Sequence, residues 1–166
     1  MKKIMILSDT HLNKNRIKFP QIVLDYIVQA DYIIHAGDFQ SYEVWEKLNE
    51  YRPVYGVYGN NDDIRLVQQL PRKTIIQIEA VKIGLIHGQG FKLTTEQRAY
   101  DEFKDENVDV VVFGHSHKPY LHKENNILMF NPGSAIQKRF QPQYSFGFME
   151  IEHDQYTLKH IYFNEK

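Results

Sequence analysis

The first half of the chain alternates short apolar runs with segments whose apolar side chains recur every three or four residues. The runs at 3–8, 32–35 and 54–58 predict three buried strands, and the segments between them predict helices. Ser41 stands where the second helix begins and is predicted to cap it. Strands that alternate with helices in this way favour a mainly parallel sheet covered by helices.

The second half of the chain follows a different pattern, with strands in close succession. The runs at 74–79 and 81–86 leave no room for a helix between them. The next helix is predicted from Thr95, because Thr94 and Gln97 form the pattern of a capping box. Further strands are predicted at 108–113, 119–123, 127–131, 144–152 and 155–163. The last four are short and consecutive, which predicts antiparallel pairing in this part of the fold.

Composition narrows the classes of protein to consider. The 166 residues carry a formal net charge of -1 and no basic run, which argues against nucleic acid as a partner. Cysteine is absent, which excludes disulfides, thiolate zinc sites and cysteine nucleophiles. No apolar stretch approaches the length of about 20 residues that spans a bilayer, so we expect no membrane association and a cytoplasmic location. Without a linker or repeat, residues 1–166 are predicted to form a single domain.

Acidic residues, histidines and an asparagine directly follow the predicted strands. Each candidate lies just past the carboxyl end of a strand, where open α/β sheets place their ligand sites. The candidates are Asp9, His11, Asp38, Asn60, His87, His115 and His117. Four glycines adjoin them, and glycine allows the sharp turns and close approaches that a crowded site needs. Any one of these motifs alone is compatible with an ordinary turn or a hydrogen-bonded histidine, and the combination points to a site.

The types of donor in this set indicate which ions would bind. Two carboxylates, four imidazoles and one amide suit borderline divalent ions such as manganese, iron, zinc, nickel or cobalt. Calcium prefers a larger share of oxygen donors. Seven donors exceed what one tetrahedral ion uses, and two ions sharing a carboxylate accommodate them.

In order along the chain, these blocks resemble the five ligand blocks of the calcineurin-like metallophosphoesterases. The blocks are Asp9-x-His11, Gly37-Asp38, Gly59-Asn60, His87-Gly88 and Gly114-His115-x-His117. The length and the Asn131-Pro132-Gly133-Ser134 segment further resemble the short bacterial and archaeal phosphodiesterases of the YfcE/MJ0936 type, with similarity from residue 3 to about residue 140. The resemblance implies an α/β fold, a four-layer αββα sandwich with two metal ions at one edge.

The resemblance also implies a distribution of ligands and an activity. One ion would be held by Asp9, His11, Asp38 and His117, and the other by Asp38, Asn60, His87 and His115, with Asp38 bridging. The two divalent ions, manganese being the first expectation, would hold a hydroxide for in-line attack on the phosphorus of a small-molecule phosphoester. The catalytic residues expected on this basis are Asn61, Asp38 and His115.

The chain departs from the family pattern at two positions beside the expected centre. Asn61 stands where many members have a histidine, and Gln89 stands where the short subgroup often has another. Both departures remove a titratable group near the leaving oxygen, and general acid catalysis typically contributes about 10²–10⁴-fold. We therefore expect a phosphodiesterase that prefers good leaving groups.

Other functions and roles stay open at this point. A phosphomonoesterase or a nucleotide pyrophosphatase would use the same centre, and a non-catalytic metal-binding scaffold for partner proteins, like the retromer subunit with this fold, is a further alternative. The aromatic C-terminal strands are compatible with a homo-oligomer. His35 is expected to be buried rather than a ligand, Asn131 and Ser134 either orient ligands or form a plain turn, and Arg139 either contacts phosphate or does not.

Overall fold

The computed structural model describes residues 1–165, which form ten strands and four helices. In chain order the elements are β1 (Lys2–Leu7), α1 (Gln21–Ile27), β2 (Tyr32–His35), α2 (Tyr42–Tyr51), β3 (Val54–Gly56), α3 (Ile64–Gln69), β4 (Lys73–Ile78), β5 (Val81–Ile86), α4 (Thr95–Phe103), β6 (Val110–Val112), β7 (Tyr120–Glu124), β8 (Ile127–Asn131), β9 (Tyr144–Glu152) and β10 (Gln155–Phe163). Among residues 1–165, no helix is both long and apolar enough to cross a membrane.

The strands form two five-stranded mixed sheets. The first sheet has the order β10-β9-β1-β2-β3, in which β1, β2 and β3 are parallel and β9 is antiparallel to both of its neighbours, β1 and β10. The second has the order β4-β5-β6-β8-β7, with β5, β6 and β8 parallel and an antiparallel strand at each edge. The parallel strands at the centre of both sheets therefore direct their carboxyl ends toward loops that carry the candidate ligands.

Alternation of side chains along the strands produces four layers. In β1, Ile4 and Ile6 belong to the apolar core between the sheets, whereas Met5 and Leu7 pack on the opposite face against helices. The helical residues in that outer core are Val23, Ile27, Val44, Leu48 and Leu66, which come from α1, α2 and α3. Ala99 and Phe103 of α4 cover the outer face of the second sheet. The predicted αββα sandwich is confirmed.

The structure corrects the predicted pairing of the C-terminal strands. The β7–β8 and β9–β10 pairs are antiparallel as predicted, but β8 also pairs in parallel with β6, in register Val111 to Met129. The β7–β8 hairpin explains this, since it places the exposed strand β7 at the edge and the largely buried strand β8 inside the sheet. Strands buried on both faces are the ones that parallel sheets accommodate.

Helix starts are partly as predicted. The capping box of α4 is present, with Gln97 N donating to Thr94 Oγ1 and Thr94 N donating to Gln97 Oε1. Ser41 does occupy the N-cap position of α2, but its hydroxyl donates to Leu12 O at 2.8 Å and makes no capping bond. The prediction that Ser41 caps α2 through its side chain is therefore wrong, because the hydroxyl anchors the loop after β1 instead.

Candidate metal centre

The ends of four central strands meet at one edge of the sandwich. Within the first sheet, Asp9 N donates to Gly37 O at 3.0 Å, and within the second, Gly114 N donates to His87 O at 3.0 Å. The two sheets are joined here by hydrogen bonds such as the one from His115 N to Asp9 Oδ2 at 3.0 Å. These bonds bring the loops after β1, β2, β5 and β6 together around two buried carboxylates.

The carboxylates of Asp9 and Asp38 lie among three imidazoles. Asp9 Oδ1 is 3.5 Å from His117 Nε2, 3.7 Å from His11 Nε2 and 3.8 Å from His87 Nε2. Asp38 Oδ2 is 3.3 Å from His87 Nε2 and 3.5 Å from His11 Nε2. The donors therefore form two groups that share Asp9, one with His11 and His117 and the other with Asp38 and His87.

Two polar atoms of this cluster lack a hydrogen-bond partner in the described part of the chain, and a bound metal ion would coordinate both. Asp9 Oδ1 and His87 Nε2 are buried and have no hydrogen-bond partner within residues 1–165. His11 Nε2 and His117 Nε2 face each other at 3.2 Å. A buried polar group left unpaired costs about 1–3 kcal/mol, so two of them on facing side chains require an explanation. Divalent cations bound between the carboxylates and the imidazoles supply one, and the N and O donors fit such ions.

Hydrogen bonds on the far ring nitrogens fix the histidine tautomers. His87 Nδ1 contacts Ala36 O at 2.8 Å, and His117 Nδ1 contacts Gln137 O at 2.5 Å. A carbonyl oxygen only accepts, so each Nδ1 carries a proton and Nε2 is the ring nitrogen that faces the carboxylates. Metal-binding histidines are oriented in this way by a carbonyl or carboxylate behind them.

The carboxylates are oriented by hydrogen bonds of the same kind. Asp9 Oδ2 accepts from Ser8 Oγ at 2.7 Å and from His115 N at 3.0 Å, which leaves Oδ1 directed at the imidazoles. Asp38 Oδ1 accepts from Asn61 N and Asp38 Oδ2 from Asn61 Nδ2, both at 2.9 Å. Asn61 thus lies beside the centre and holds the carboxylate that the sequence predicts to bridge two ions.

Burial and charge act against each other in the titration of these groups. Burial alone would raise the pKa of Asp38, but the neighbouring imidazole of His87 and the hydrogen bonds from Asn61 lower it far below its usual range. Burial alone would lower the pKa of His87, whereas Asp38 and Asp9 raise it overall. For His115 and His117, burial dominates and lowers the pKa. The carboxylates are therefore ionised at neutral pH, as ligands must be.

Five of the seven candidate ligands have a left-handed backbone conformation. Their φ angles are 53° at Asp9, 44° at His11, 58° at Asp38, 69° at His115 and 58° at His117. This conformation costs roughly 1–2 kcal/mol per residue for side chains other than glycine, and such costs concentrate at functional sites. The surrounding hydrogen bonds hold all five in the conformation that turns their side chains inward.

The glycines beside the ligands are required by space. A Cβ at Gly59 would lie 2.1 Å from Asp38 Oδ1, and a Cβ at Gly114 would lie 1.9 Å from Ser8 Oγ. Both distances are far below van der Waals contact. The expected close approach of backbone to ligands is therefore present at these two positions.

The structure decides the roles left open for the Asn131-Pro132-Gly133-Ser134 segment and for His35. Asn131 Nδ2 donates to Gly114 O and to Ser116 Oγ, and Ser134 Oγ donates to Asp9 O at 2.8 Å. Both residues therefore position ligand-bearing loops and are more than parts of a turn. His35 is fully buried, and its ring contacts Thr10 Oγ1 and accepts from Gly37 N. Burial lowers its pKa to about 3, and it lies outside the groups of ligand atoms.

The remaining predicted residues lie around the cluster. Asn60 is exposed on the turn after β3. The half-buried His115 ring packs edge-on against His87, with ring centroids 5.3 Å apart. Gln89 follows His87-Gly88 on a partly exposed loop. Arg139 is exposed, and its charge contributes to the lowered pKa of His117, which puts it near the side of the centre formed by His11 and His117.

Sequence reasoning missed the role of two residues that hold the loops of the centre, having expected the first, Asp62, either to orient Asn60 or to cap the next segment. Asp62 accepts from the backbone N–H groups of Asp38, Gln40 and Gly59 at 2.7–2.9 Å. It links the loops after β2 and β3, whereas the cap of α3 comes from its neighbour Asp63. The Asp-Asp pair before an apolar segment is a signal for a helix cap, but it does not reveal which carboxylate turns inward.

The second missed residue is Arg98 of α4. Its guanidinium donates to the carbonyl oxygens of Gly88, Lys92 and Leu93. It therefore fastens the loop that follows His87 to the helix. Nothing in the sequence distinguishes this arginine from a solvent-exposed one, because its partners are backbone atoms of a loop without regular structure.

The two-sheet fold and a carboxylate–imidazole cluster at the strand ends define a class of metal-binding α/β sandwich. Residues 1–154 match the calcineurin-like phosphoesterase superfamily domain, and the chain belongs to this family. The family predicted from the five ligand blocks is confirmed.

Named relatives are consistent with the family. A probable metallophosphoesterase of Methanocaldococcus jannaschii, MJ0623, is 37% identical over 141 residues, covering 82% of this chain and 69% of that protein. The phosphodiesterase MJ0936 of the same organism is 31% identical over 148 residues, covering 80% and 84%. The crystal structure of Vps29 complexed with zinc from Entamoeba histolytica shares the fold at a TM-score of 0.76, with 24% identity over 98% of this chain and 99% of that one.

Proposed function

We propose that this protein is a binuclear metal-dependent phosphodiesterase that acts on a small-molecule phosphoester. The observation that carries the proposal is the pair of buried, unpartnered atoms Asp9 Oδ1 and His87 Nε2 at the centre of a carboxylate–imidazole cluster. One ion would be held by Asp9, His11, Asp38 and His117, and the second by Asp38, Asn60, His87 and His115. Manganese is the first expectation for both, with nickel, iron, zinc and cobalt as alternatives.

The bound ions would supply an activated water and positive charge against the phosphate oxygens. The chain's own contribution is to hold the donors in place before substrate arrives. Ala36 O and Gln137 O fix the proton of His87 and of His117 on Nδ1. Asn61 keeps Asp38 oriented through Nδ2, whose second hydrogen is free to reach a phosphate oxygen of the substrate.

Two side chains beside the proposed centre cannot protonate the leaving group. The side chains of Asn61 and Gln89 are amides, which donate hydrogen bonds and do not transfer protons at neutral pH. Esters whose leaving oxygen is already stable, such as nitrophenolate, are therefore expected to be the better substrates. The relative named a phosphodiesterase supports a diester over a monoester or a pyrophosphate.

A metal-dependent assay with matched variants tests this function. The purified protein is stripped with chelator, reloaded with Mn²⁺, Ni²⁺ or Zn²⁺, and assayed on nitrophenyl phosphodiester, phosphomonoester and phosphonate substrates, with metal content measured in parallel. We expect about two ions per chain, diester hydrolysis that requires metal, and large losses in His87→Ala and Asn60→Ala. His122→Ala, on the exposed edge strand β7, is the control and should match the wild type.

Three outcomes would contradict the proposal. Hydrolysis that is indifferent to chelator and to His87→Ala would exclude this centre as its source. Metal binding without hydrolysis of any ester would favour the alternative of a non-catalytic scaffold for partner proteins. A higher kcat/KM on the monoester would replace the diester with a phosphomonoesterase activity.

A further inference from the structure

A cavity lies between the loop that carries His11 and the segment that supports His117. It has a volume of about 360 Å³ and is lined by Leu12, Arg16, Lys18, Pro20 and Ile136. Leu12 directly follows His11 in the chain, and Ile136 directly precedes Gln137, whose carbonyl holds the His117 ring. We call this cavity the basic pocket. Leu12 and Ile136 therefore connect its wall to His11 and His117, whose Nε2 atoms lie 3.2 Å apart.

The charge of the basic pocket is uncompensated. The segment 12–18 contains three cationic residues, Lys14, Arg16 and Lys18, and no acidic residue. Within residues 1–165 neither Arg16 nor Lys18 has a carboxylate within 4.0 Å, whereas Arg72 pairs with Glu102. An overall charge of -1 hides this local excess of positive charge, which adjoins the site where a phosphate ester is proposed to bind.

The wall of the basic pocket is held in place by the rest of the fold. Leu12 N donates to Phe39 O at 3.1 Å, and Ser41 Oγ donates to Leu12 O at 2.8 Å. Asn13 closes a turn by accepting from Asn15 N through its side chain and from Arg16 N through its carbonyl. The cavity is therefore formed before ligand binds, and its volume lies within the usual range of about 300–1,000 Å³ for small-molecule sites.

We propose that the basic pocket binds a second phosphate of the substrate while the ester to be cleaved lies at the metal centre. Arg16 and Lys18 would neutralise the second phosphate, and Leu12, Pro20 and Ile136 would contact the apolar part of the connecting group. The inference rests on the proposed function and specifies its substrate as a phosphodiester that carries a further phosphate on one arm, as in a nucleoside bisphosphate ester.

Two chromogenic esters that differ by one phosphate test the proposal. They are the 4-nitrophenyl ester of thymidine 5′-monophosphate and the same compound with a phosphate on its 3′ oxygen. We expect a kcat/KM about tenfold higher for the second compound, mostly through KM, because a hydrogen bond to a charged group contributes on this scale. In the double variant Arg16→Gln/Lys18→Gln the ratio should fall to about one, and each single variant should give an intermediate value.

A matched control and an equilibrium measurement separate this inference from the proposed function. Lys159→Gln removes an exposed positive charge on β10 and should leave the ratio of the two kcat/KM values as in the wild type. Calorimetry with thymidine 3′,5′-bisphosphate and thymidine 5′-monophosphate measures the same preference as a ratio of Kd values. Because salt screens exposed charges, the preference should shrink between low and about 0.5 M ionic strength.

The possible results distinguish a failure of the basic-pocket inference from a failure of the proposed function. Equal kcat/KM for the two esters in the wild type, or a preference that survives the double variant, would overturn the inference and leave the phosphodiesterase intact. If neither ester is cleaved with any metal, the proposed function fails. Calorimetry then decides on the pocket alone, and equal Kd values for the two nucleotides would refute it.

Discussion

Removing the Ser134 hydroxyl is expected to weaken metal binding without touching a ligand. Ser134 Oγ donates to Asp9 O at 2.8 Å and accepts from Gln137 N at 2.9 Å and Ile136 N at 3.2 Å. Through Gln137 O the same hydroxyl also reaches His117 Nδ1. One buried side chain therefore connects the backbone of one candidate ligand with the support of another.

The size of the effect follows from this geometry. Three hydrogen bonds at about 0.5–1.5 kcal/mol each give a loss of about 1.5–4.5 kcal/mol in the free energy of unfolding for Ser134→Ala. Substitutions behind metal ligands typically reduce metal affinity about 10–100-fold. Urea unfolding in chelator measures the first quantity, and calorimetric titration with Mn²⁺ measures the second.

A second buried serine provides the control. Ser145 is as deeply buried as Ser134, but within residues 1–165 its hydroxyl makes one hydrogen bond, to Pro132 O at 2.8 Å, and none to a candidate ligand. Ser145→Ala should cost about 1 kcal/mol in stability and leave Mn²⁺ affinity near that of the wild type. Equal Mn²⁺ affinities for Ser134→Ala and the wild type would refute the positioning role of Ser134.

Three further predictions concern the same site. Asn61→His should raise kcat for esters with alkyl leaving groups relative to nitrophenyl esters, since an imidazole supplies a proton; an unchanged ratio would show that no leaving-group proton is transferred there. Gly59→Ala should abolish tight Mn²⁺ binding, because the new Cβ would meet Asp38 Oδ1, and wild-type affinity by calorimetry would contradict this. Burial lowers the pKa of His35 to about 3, so the stability of its neutral form is present above the unfolded-state pKa of 6.5 and is lost as the pH falls from 6.5 toward 3. The free energy of unfolding in chelator should therefore fall by up to about 1.4 kcal/mol per pH unit from this group, less steeply in His35→Gln, and parallel slopes for the two proteins would contradict it.

The positions of the ligands were predictable because they depend on one simple relation. Asp9 and Asp38 directly follow buried parallel strands, and parallel strands in one sheet end at the same edge. The same relation places His87 and His115 at the ends of β5 and β6 in the second sheet. No long-range detail is needed for this, and the structure brings five of the seven candidates, Asp9, His11, Asp38, His87 and His117, into the two groups of donors.

The features that escaped prediction depend on contacts distant in sequence. The helix α3 has six residues and no full apolar repeat, and its start depends on a side chain of Asp63 that also accepts from Tyr42 N in another helix. The parallel pairing of β6 and β8 depends on which strand of the β7–β8 hairpin lies inside the sheet. Likewise Ser41 has the sequence of a cap, but a loop carbonyl 29 residues away takes its hydroxyl.

The hydrogen bond from His115 N to Asp9 Oδ2 has a consequence for how the protein unfolds. It lies where the two sheets meet, with Asp9, His11 and Asp38 contributed by the first sheet and His87, His115 and His117 by the second. Ions bound by residues of both sets would cross-link the two sheets. Separation of the two sheets and release of metal would then occur together, and the unfolding temperature Tm would rise with the concentration of free ion.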